Sequence, residues 1–559
     1  MLKYKLLPDE TVGVMHDDSY VDNLEGDIDI PTYTTDLDEK KRLVTQILDN
    51  AFVECCKIRV VTLPSSIRHI GKCAFAKCDK LDVVNMENGI LTIGENAFAL
   101  CNYLEKCELP DTITEIGSGA FASCENLLSI HIPELLNEIR ENTFNQCCSL
   151  KEVIIGDNVK SLGNECFIKC HDLERVTLGK SLCVIECKVF YECINLENVY
   201  FNDKLIRIGD ESFLKTRLHD VVLPDTLKVI SHYAFGYCSR LVSLSIRNVQ
   251  DNKNNISHFI QLGGACFHSC FRLSHVDFGS IYPRVLSEQC FQNCYSLSYD
   301  SMNKLLANAY KLSNSSFMGS HFDSSNMLTI PDNITEVGEC AFHKSDIRNV
   351  CIQTSFCCEN KGVFSLSTVE NVVFGDNVTT IGEQCFARCQ KLKTIDIGKN
   401  VQFIGKQAFQ ESYNLSDINI PPSVIRLEAR CLSKCNALIS VNIPDSVQYI
   451  GEYAFVECSN LKNVIIGNGV NVIRKNTFFK CNSLEEVTIG SSVKEICSFA
   501  FSQCKGLKKI YIPSNVSVIR SGAFFGCNNL EEVIVDNNTT IEKNAFGGCS
   551  SLKSVPPTK

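Results

Sequence analysis

Cysteine is the residue type in this chain that could carry chemistry, because it is abundant and regularly spaced. The 559 residues include 33 cysteines. Several pairs have the spacing Cys-x-x-x-Cys, which would put two sulfurs on the same face of a helix, as a metal site requires, and five of them are considered as candidates. These pairs are Cys166/Cys170, Cys266/Cys270, Cys290/Cys294, Cys385/Cys389 and Cys431/Cys435.

The same pairs have a simpler explanation in a sequence repeat, so no metal site is predicted. The first cysteine of each pair replaces the small alanine of a recurring Ala-Phe pair. Histidine accompanies the cysteines in one cluster, which consists of Cys266, His268, Cys270 and His275. Zinc needs four ligands that converge on one point, whereas Phe267 and Phe271 lie between these residues and are expected in the core.

Other catalytic patterns do not occur outside the repeated positions. The sequence has no Ser/His/Asp set, no phosphate-binding loop and no pair of carboxylates at a spacing that would support acid–base catalysis. It therefore predicts a protein that is not an enzyme and that holds no metal or cofactor.

About half of the cysteines share one position in the repeat, beginning with Cys78, Cys101 and Cys124. One such column per coil points its side chains in parallel, which is a poor geometry for disulfides. Free cysteine behaves as a small buried hydrophobe, so mostly reduced, buried thiols are expected. Three vicinal pairs, Cys55-Cys56, Cys147-Cys148 and Cys357-Cys358, leave room for one or two exposed reactive thiols.

The repeat itself is clearest from Leu438 to Leu461. Val441 and Ile443 alternate like the buried residues of a strand, whereas Ala454, Phe455 and Cys458 have the spacing of one buried helical turn. The phenylalanine recurs with a strict period of 23 residues at positions 52, 75, 98, 121, 144, 167, 190 and 213. One short strand cannot bury its apolar face alone, so stacked copies must bury it against each other. This pattern predicts a solenoid of parallel strands.

The regularity of the repeat varies along the chain and suggests five regions. A polar loop is expected at Arg247–His258, a helix at Met302–Leu312 and a loop at Ser313–Asn326. The predicted regions are an acidic N-terminal segment (1–27), an N-terminal repeat array (28–297), an irregular insertion or set of degenerate repeats (298–362), a C-terminal repeat array (363–555) and a tail (556–559).

The repeat unit resembles the BspA-like (Treponema-type) leucine-rich repeat, a 23-residue class found in bacterial and protist surface proteins. Val441–Leu461 and Asn463–Leu484 are typical copies, and the resemblance covers residues 28–555. It implies a right-handed leucine-rich-repeat superhelix with one long sheet of short parallel strands and short helical or 3-10 turns on the other side. It also implies a protein-binding role.

One column of residues should point outward from the strands, between two inward residues of each coil. The order Ile154, Thr177, Tyr200, Val222 in this column is echoed later by Ile465, Thr488, Tyr511, Ile534. These residue types are favourable on any exposed sheet. Alternatively, the two runs form apolar stripes that bind a protein partner, and these eight residues are the candidate partner-binding site.

Composition limits the kind of partner and the location of the chain. A net charge of −11 argues against nucleic acid as the main partner. There is no run of 18 or more apolar residues, so membrane insertion is not expected. The first residues lack the apolar core of a secretory signal, and the last residues lack an anchor signal. A cytoplasmic location is therefore expected, with the cell surface or secretion as the alternative.

Two functions fit these observations. The first is a non-catalytic scaffold that binds another protein, of unknown identity, through its sheet face. The alternative is a surface antigen or adhesin of the BspA-like family that contacts host or matrix proteins, which the repeat family and several Asn-x-Ser/Thr sites favour.

Overall fold

The computed structural model describes residues 2–36, 38–247, 259–322, 326–354 and 360–554. The polar loop predicted at Arg247–His258 lies outside these residues except for Arg247, and so does the tail 556–559. Contacts within the chain define two compact parts, Met1–Pro283 and Arg284–Lys559, which we call unit 1 and unit 2.

Unit 1 consists of short strands and one short helix. Its elements are β1 (Tyr4–Leu6), β2 (Val12–Val14), α1 (Ser19–Asn23), β3 (Gly26–Asp29), β4 (Tyr33–Thr35), β5 (Lys41–Ile47), β6 (Ile58–Leu63), β7 (His69–Ile70), β8 (Val83–Met86), β9 (Thr92–Ile93), β10 (Lys106–Cys107), β11 (Glu115–Ile116), β12 (Ser129–His131), β13 (Glu138–Ile139), β14 (Glu152–Ile154), β15 (Ser161–Leu162), β16 (Arg175–Thr177), β17 (Val184–Ile185), β18 (Asn198–Tyr200), β19 (Arg207–Ile208), β20 (Asp220–Pro224), β21 (Val229–Ile230), β22 (Ser243–Arg247), β23 (Gln261–Leu262) and β24 (His275–Asp277).

Unit 2 repeats the same plan with a longer helix near its start. Its elements are β25 (Val285–Leu286), α2 (Tyr299–Asn308), β26 (Lys311–Leu312), β27 (Met327–Ile330), β28 (Glu336–Val337), β29 (Asn349–Ile352), β30 (Asn371–Phe374), β31 (Thr380–Ile381), β32 (Thr394–Asp396), β33 (Phe403–Ile404), β34 (Asp417–Asn419), β35 (Arg426–Leu427), β36 (Ser440–Ile443), β37 (Tyr449–Ile450), β38 (Asn463–Ile466), β39 (Val472–Ile473), β40 (Glu486–Thr488), β41 (Glu495–Ile496), β42 (Lys509–Tyr511), β43 (Val518–Ile519), β44 (Glu532–Ile534) and β45 (Thr540–Ile541).

A typical coil contributes two strands, and each pairs in parallel with the equivalent strand of the next coil. The first is the strand predicted from the alternating pattern, as in the pairing of Val60 in β6 with Val83 in β8. The second has two residues and was not predicted, as in the pairing of Thr92 in β9 with Glu115 in β11. We call the two stacks the long-strand and the short-strand ladder. The predicted parallel solenoid is confirmed, with two strand ladders in place of one.

The segment that contains the buried phenylalanine differs from the predicted helical turn. Its N–H groups alternate between two kinds of acceptor. Ala76 N–H donates within its own coil to the carbonyl of Cys73 (3.1 Å), whereas Phe75 N–H donates to Ala97 O of the next coil (2.7 Å). Lys77 has φ +62°, which lies outside the right-handed helical region. The segment is therefore a series of turns, because half of its donors bond between coils.

Stacked phenylalanine rings run through the core of each unit. In unit 1 the Phe rings of consecutive coils, from Phe52 to Phe267, have centroids 5.0–5.6 Å apart. In unit 2 the column is interrupted between Phe409 and Phe455, where Leu432 is also fully buried. These rings bury large apolar areas and stack in the offset arrangement that aromatic pairs favour.

The N-terminal segment, in which the sequence shows no repeat pattern, begins with two paired strands. Strands β1 and β2 form an antiparallel hairpin, and β2 pairs with β5. The ring of Tyr20 stacks on Phe52 at 5.9 Å. Tyr20 thus covers the apolar face that the first phenylalanine of the column would otherwise expose.

Within residues 298–362, the described part continues the coil architecture. Helix α2 begins after Ser298, whose side chain accepts a hydrogen bond from Ser301 N, and buries Met302, Leu305 and Leu306. The ring column continues through this region at positions 317 and 342, with centroids 5.4 Å apart. Its core is thus built like that of the neighbouring coils.

Truncating one ring of the column should be costly. We expect Phe455→Ala to lower the free energy of unfolding by about 3–5 kcal/mol, because a fully buried ring is replaced by a cavity. Phe499→Ala is the matched control: Phe499 is 39% exposed, so its truncation should cost clearly less than that of Phe455. Urea denaturation followed by circular dichroism measures both values, and equal losses would contradict a ring column that stabilises the fold.

Candidate functional site

The first predicted stripe, which we call stripe 1 (Ile154, Thr177, Tyr200, Val222), lies on the outer surface of the long-strand ladder. Parallel pairing aligns Ile154 with Thr177, and Thr177 with Tyr200. The exposed fractions are 47% for Ile154, 62% for Tyr200 and 43% for Val222. Val222 lies in β20, which pairs with β22 rather than with β18. Strand pairing therefore brings together the first three residues of the stripe.

The second predicted stripe, stripe 2 (Ile465, Thr488, Tyr511, Ile534), lies on the outer surface of the long-strand ladder of unit 2, where the pairing is interrupted between Thr488 and Tyr511. Ile465 pairs with Thr488 across β38 and β40, and Tyr511 pairs with Ile534 across β42 and β44. Tyr511 is 59% exposed and Ile465 is 49% exposed. Three coils in each unit thus present an isoleucine, a threonine and a tyrosine in the same order.

Alternation along the strands explains why these side chains point outward. In β14, Val153 is fully buried, and Ile155, the residue after the strand, is 2% exposed. Successive side chains of a strand point to opposite faces, so Ile154 between them faces solvent. An outward residue of this kind adds nothing to the packing between coils. Its identity is therefore free to serve binding.

Charged residues and an open groove flank stripe 2. Lys509 Nζ lies 3.0 Å from Glu532 Oε2, and Lys462 Nζ lies 3.9 Å from Glu485 Oε1. Opposite charges thus face each other on adjacent coils, and exposed pairs of this kind contribute little to stability. The groove has a volume of about 880 Å³ and is lined by Lys462, Ser483, Glu485, Glu486, Val487, Gly506, Lys508, Lys509, Tyr511 and Asn529.

The cysteine column forms a hydrogen-bond ladder that the sequence did not predict. Cys78 Sγ donates to the carbonyl oxygen of Phe52 in the preceding coil (3.1 Å), and Cys101 Sγ donates to that of Phe75 (3.1 Å). The same bond recurs at Cys124, Cys147, Cys170, Cys193, Cys270, Cys435, Cys481, Cys504, Cys527 and Cys549. These thiols are thus donors to the backbone as well as apolar filler.

The residues that replace cysteine in this column point to the same hydrogen-bond donor role. Thr216, Ser345 and Ser412 stand where cysteine is expected, and each has a hydroxyl group. Ser412 Oγ donates to Phe386 O (2.9 Å), which is the equivalent bond to the preceding coil. Thr216 donates instead to the phenylalanine of its own coil (2.9 Å). A short side chain that can donate a hydrogen bond is therefore what this position requires.

Burial keeps fully buried thiols of this column, such as Cys458 and Cys238, protonated, as a donor role requires. Desolvation raises the pKa of Cys458 to about 12, and that of Cys238 to about 12. A thiol with such a pKa is a poor nucleophile at neutral pH, because the thiolate is the reactive form. Cys458 and Cys238 therefore lack the electrostatic environment of a catalytic cysteine, whereas the hydrogen bond with Cys527 lowers the pKa of Cys549, the last cysteine of the column.

The one cysteine cluster with histidines does not form a metal site in the structure. His268 is 8% exposed and packs against the rings of Tyr233 and Tyr237 at centroid distances of 5.6 and 5.1 Å. Cys270 Sγ donates to Phe235 O (3.1 Å). Within the part of the chain that the structure describes, no three or more Cys, His, Asp or Glu side chains come together as metal ligands would.

The vicinal cysteines differ in exposure. Cys55 is fully buried, whereas Cys56 is exposed and its Sγ donates to Lys77 O (3.3 Å). Cys147 is buried and Cys148 is half-buried. The third pair, Cys357-Cys358, lies outside the described residues. Of the four described vicinal cysteines, Cys56 is the one most open to reagents.

The comparison with protein families agrees with the repeat seen in the coordinates. The family model described as "BspA type Leucine rich repeat region (6 copies)" matches residues 45–174, 160–298, 254–327, 310–439 and 426–553. The chain belongs to the BspA-type leucine-rich-repeat family. The resemblance predicted from the sequence is thereby confirmed over most of the chain.

Several solved structures are similar to this BspA-type chain. A leucine-rich repeat protein from Bacteroides ovatus is 26% identical, with 80% of this chain and 98% of that chain covered and a TM-score of 0.46. A leucine rich cell surface protein from Faecalibacterium prausnitzii is 19% identical, covering 96% and 93%, with a TM-score of 0.28. The T. pallidum leucine rich repeat protein is 21% identical, covering 49% and 87%, with a TM-score of 0.20. No curated protein matches the chain. The family assignment therefore rests on the sequence match.

Neither α1 nor α2 has the length and apolar character needed to cross a bilayer, and no other helix occurs among the described residues.

A pair of substitutions at Cys481 tests the donor role of the column. Cys481→Ala should lower the free energy of unfolding by about 1–2 kcal/mol, because Phe455 O loses the thiol bond of 3.2 Å. Cys481→Ser keeps a donor and should cost less than the alanine variant. Urea denaturation of both variants gives the comparison. Equal costs would show that the thiol acts only as filler.

Alkaline pH should destabilise the fold. An unfolded cysteine ionises near its ordinary pKa of 9.0, whereas folding raises the pKa of Cys458 and Cys238 to about 12. The folded chain therefore binds more protons in this range. The stabilisation is fully present below pH 9 and is lost as the pH rises towards 12, by about 1.4 kcal/mol per pH unit for each such thiol.

The measurement is the urea midpoint at about pH 8 and about pH 10 under reducing conditions. We expect a lower midpoint at the higher pH and a smaller drop for Cys458→Ser, which removes one of the buried thiols. A midpoint that does not change between the two pH values would contradict the raised pKa.

Proposed function

We propose that this BspA-type leucine-rich-repeat chain is a non-catalytic scaffold that binds a protein partner on the outer surface of its long-strand ladder, through stripe 1 and stripe 2. The observation that carries this proposal is the exposure of the two tyrosines, 62% for Tyr200 and 59% for Tyr511, beside aligned isoleucines. Tyrosine is among the residues that dominate binding energy at interfaces. Repeat solenoids use such extended faces to bind their partners.

The surroundings of the stripes suit a protein partner. Exposed isoleucine and tyrosine supply an apolar centre, and the charged residues on either side of the strands supply a polar rim. In stripe 1 this rim includes the ion pair between Arg175 and Glu152 (3.3 Å). In stripe 2 it includes the groove beside Tyr511, with Lys508 and Lys509 on its wall. Such a rim favours one partner over another mainly through charge complementarity.

The alternative function, a surface antigen or adhesin, has less support from the geometry. The sequence supports this alternative partly through its Asn-x-Ser/Thr sites. Three of these sites, Asn333, Asn414 and Asn515, are exposed. The side-chain amide of each one donates to a backbone carbonyl of the preceding coil, at distances of 2.6–2.7 Å. A glycan would replace one of the two hydrogens on that nitrogen and would compete with this bond, so these sites give little support to an exported glycoprotein.

The double variant Tyr200→Ser/Tyr511→Ser tests the proposed binding face. Both side chains are exposed, so we expect an unchanged thermal transition. Loss of two tyrosine contacts should lower recovery of the partner at least about tenfold, when proteins that co-purify with the full chain are quantified by mass spectrometry.

Tyr103→Ser is the matched control, because Tyr103 is 58% exposed but lies in a turn, away from the strands. This variant should retain the partner at the level of the unmodified chain. A partner recovered equally with all three proteins would remove the stripes from consideration.

A further inference from the structure

The two stripes belong to larger surface patches that match each other residue by residue. Each residue of the first patch has an identical counterpart 311 positions later in the chain. We call them patch 1 (Lys151, Ile154, Glu174, Thr177, Tyr200) and patch 2 (Lys462, Ile465, Glu485, Thr488, Tyr511). All ten residues are exposed.

Stacking of the coils requires the core residues of a repeat protein to recur, but it does not fix the identity of the outward residues. The buried valine, phenylalanine and cysteine positions recur because every coil packs against its neighbours. The outward column does not recur in the same way: other coils of unit 1 have Glu108, His131 and Ser245 at this place. Identity at five exposed positions therefore needs a cause outside the packing of the coils, and a shared binding role supplies one.

The backbone of the two patches matches around the lysine, the isoleucine, the glutamate and the threonine, whereas the tyrosine strand is paired with the threonine strand in patch 1 and belongs to a separate sheet in patch 2. Glu174 N–H donates to Lys151 O (2.9 Å), and Glu485 N–H donates to Lys462 O (2.8 Å). The isoleucine and threonine of each patch are direct partners in the parallel ladder. Each patch therefore presents a cation, an apolar side chain and an anion on coils that lie about 4.8 Å apart.

Other charged residues at equivalent positions differ between the two patches, so they cannot be part of a site that both patches share. Arg175 in unit 1 corresponds to Glu486 in unit 2, and Glu197 corresponds to Lys508. These positions have opposite charges in the two patches. A ligand that binds both patches must therefore rely on the lysine, the glutamate and the apolar residues that they share.

We infer that patch 1 and patch 2 are two copies of one binding site, so that the chain offers two equivalent sites to one kind of protein segment. The segment that fits has an aliphatic or aromatic side chain for the isoleucine and tyrosine, a carboxylate for the lysine, and a cationic side chain for the glutamate. This inference rests on the proposed function, because it assumes that the strand face binds protein.

The test uses the full chain and a random peptide library displayed on phage. Peptides selected on the unmodified chain are synthesised and titrated calorimetrically into four proteins: the unmodified chain, Tyr200→Ser, Tyr511→Ser and the double variant. We expect two bound peptides per unmodified chain, one per single variant with an unchanged dissociation constant, and none for the double variant. Tyr103→Ser should bind two peptides.

Charge reversal gives a second readout of the same site. Lys151→Glu and Lys462→Glu should each remove one bound peptide, whereas reversal at Arg175, which is not shared, should leave two. Enrichment of peptides with an acidic residue, an apolar residue and a basic residue is the expected selection result.

The peptide titrations distinguish a failure of this inference from a failure of the proposed function. If the selected peptides lose all binding with only one of the two tyrosine variants, the patches are not equivalent, although the strand face still binds protein. If selection yields no peptide that depends on Tyr200 or Tyr511, both the equivalence and the proposed binding face are wrong.

Discussion

Within each unit, the described coils pack against each other at a spacing set mainly by two interactions, the stacking of phenylalanine rings and the hydrogen bonds between parallel strands. Ring centroids of consecutive coils lie 5.0–5.6 Å apart in unit 1, close to the separation of about 4.8 Å between paired strands. Because the two spacings nearly agree, rings and strands can both stack in register. Leu432, which interrupts the ring column, is also fully buried.

The cysteine content follows from the same register. The carbonyl oxygen of a typical column phenylalanine is buried and accepts one bond from its own coil, as Phe75 O does from Cys78 N (3.2 Å). The thiol of the next coil adds a second bond, from Cys101 Sγ at 3.1 Å. A short donor that is also apolar suits this position, since the side chain must fill the core and reach the oxygen. Reactivity of the thiol has no part in that arrangement.

The outward face of the strands is where the sequence is not constrained by stacking. An outward side chain such as Tyr200 contributes little to the contact between coils, so selection at this position can act on binding alone. The two patches have five residues in common. Arg175 and Glu486, which lie at equivalent positions, have opposite charges. The proposed binding function therefore uses the surface of the ladder and not its interior.

Properties of a single coil could be predicted from the sequence, because each depends only on the order of residues within one repeat. The period of 23 residues, the burial of Phe455 and Cys458 and the outward position of Tyr511 all followed from alternation and spacing. The family resemblance followed from the same pattern. The domain boundaries and the partner-binding role of the stripes remain predictions.

Properties that depend on two coils were decided by the tertiary structure. The segment around Phe75 is not a helical turn, because its N–H bonds to Ala97 O, an atom that a single coil does not contain. The short strands exist for the same reason, since two residues form a strand only when equivalent residues of the next coil pair with them. The donor role of the thiols also appeared only once Cys101 could be placed beside the carbonyl of Phe75. Sequence patterns describe how one coil folds on itself, whereas these bonds form only between coils.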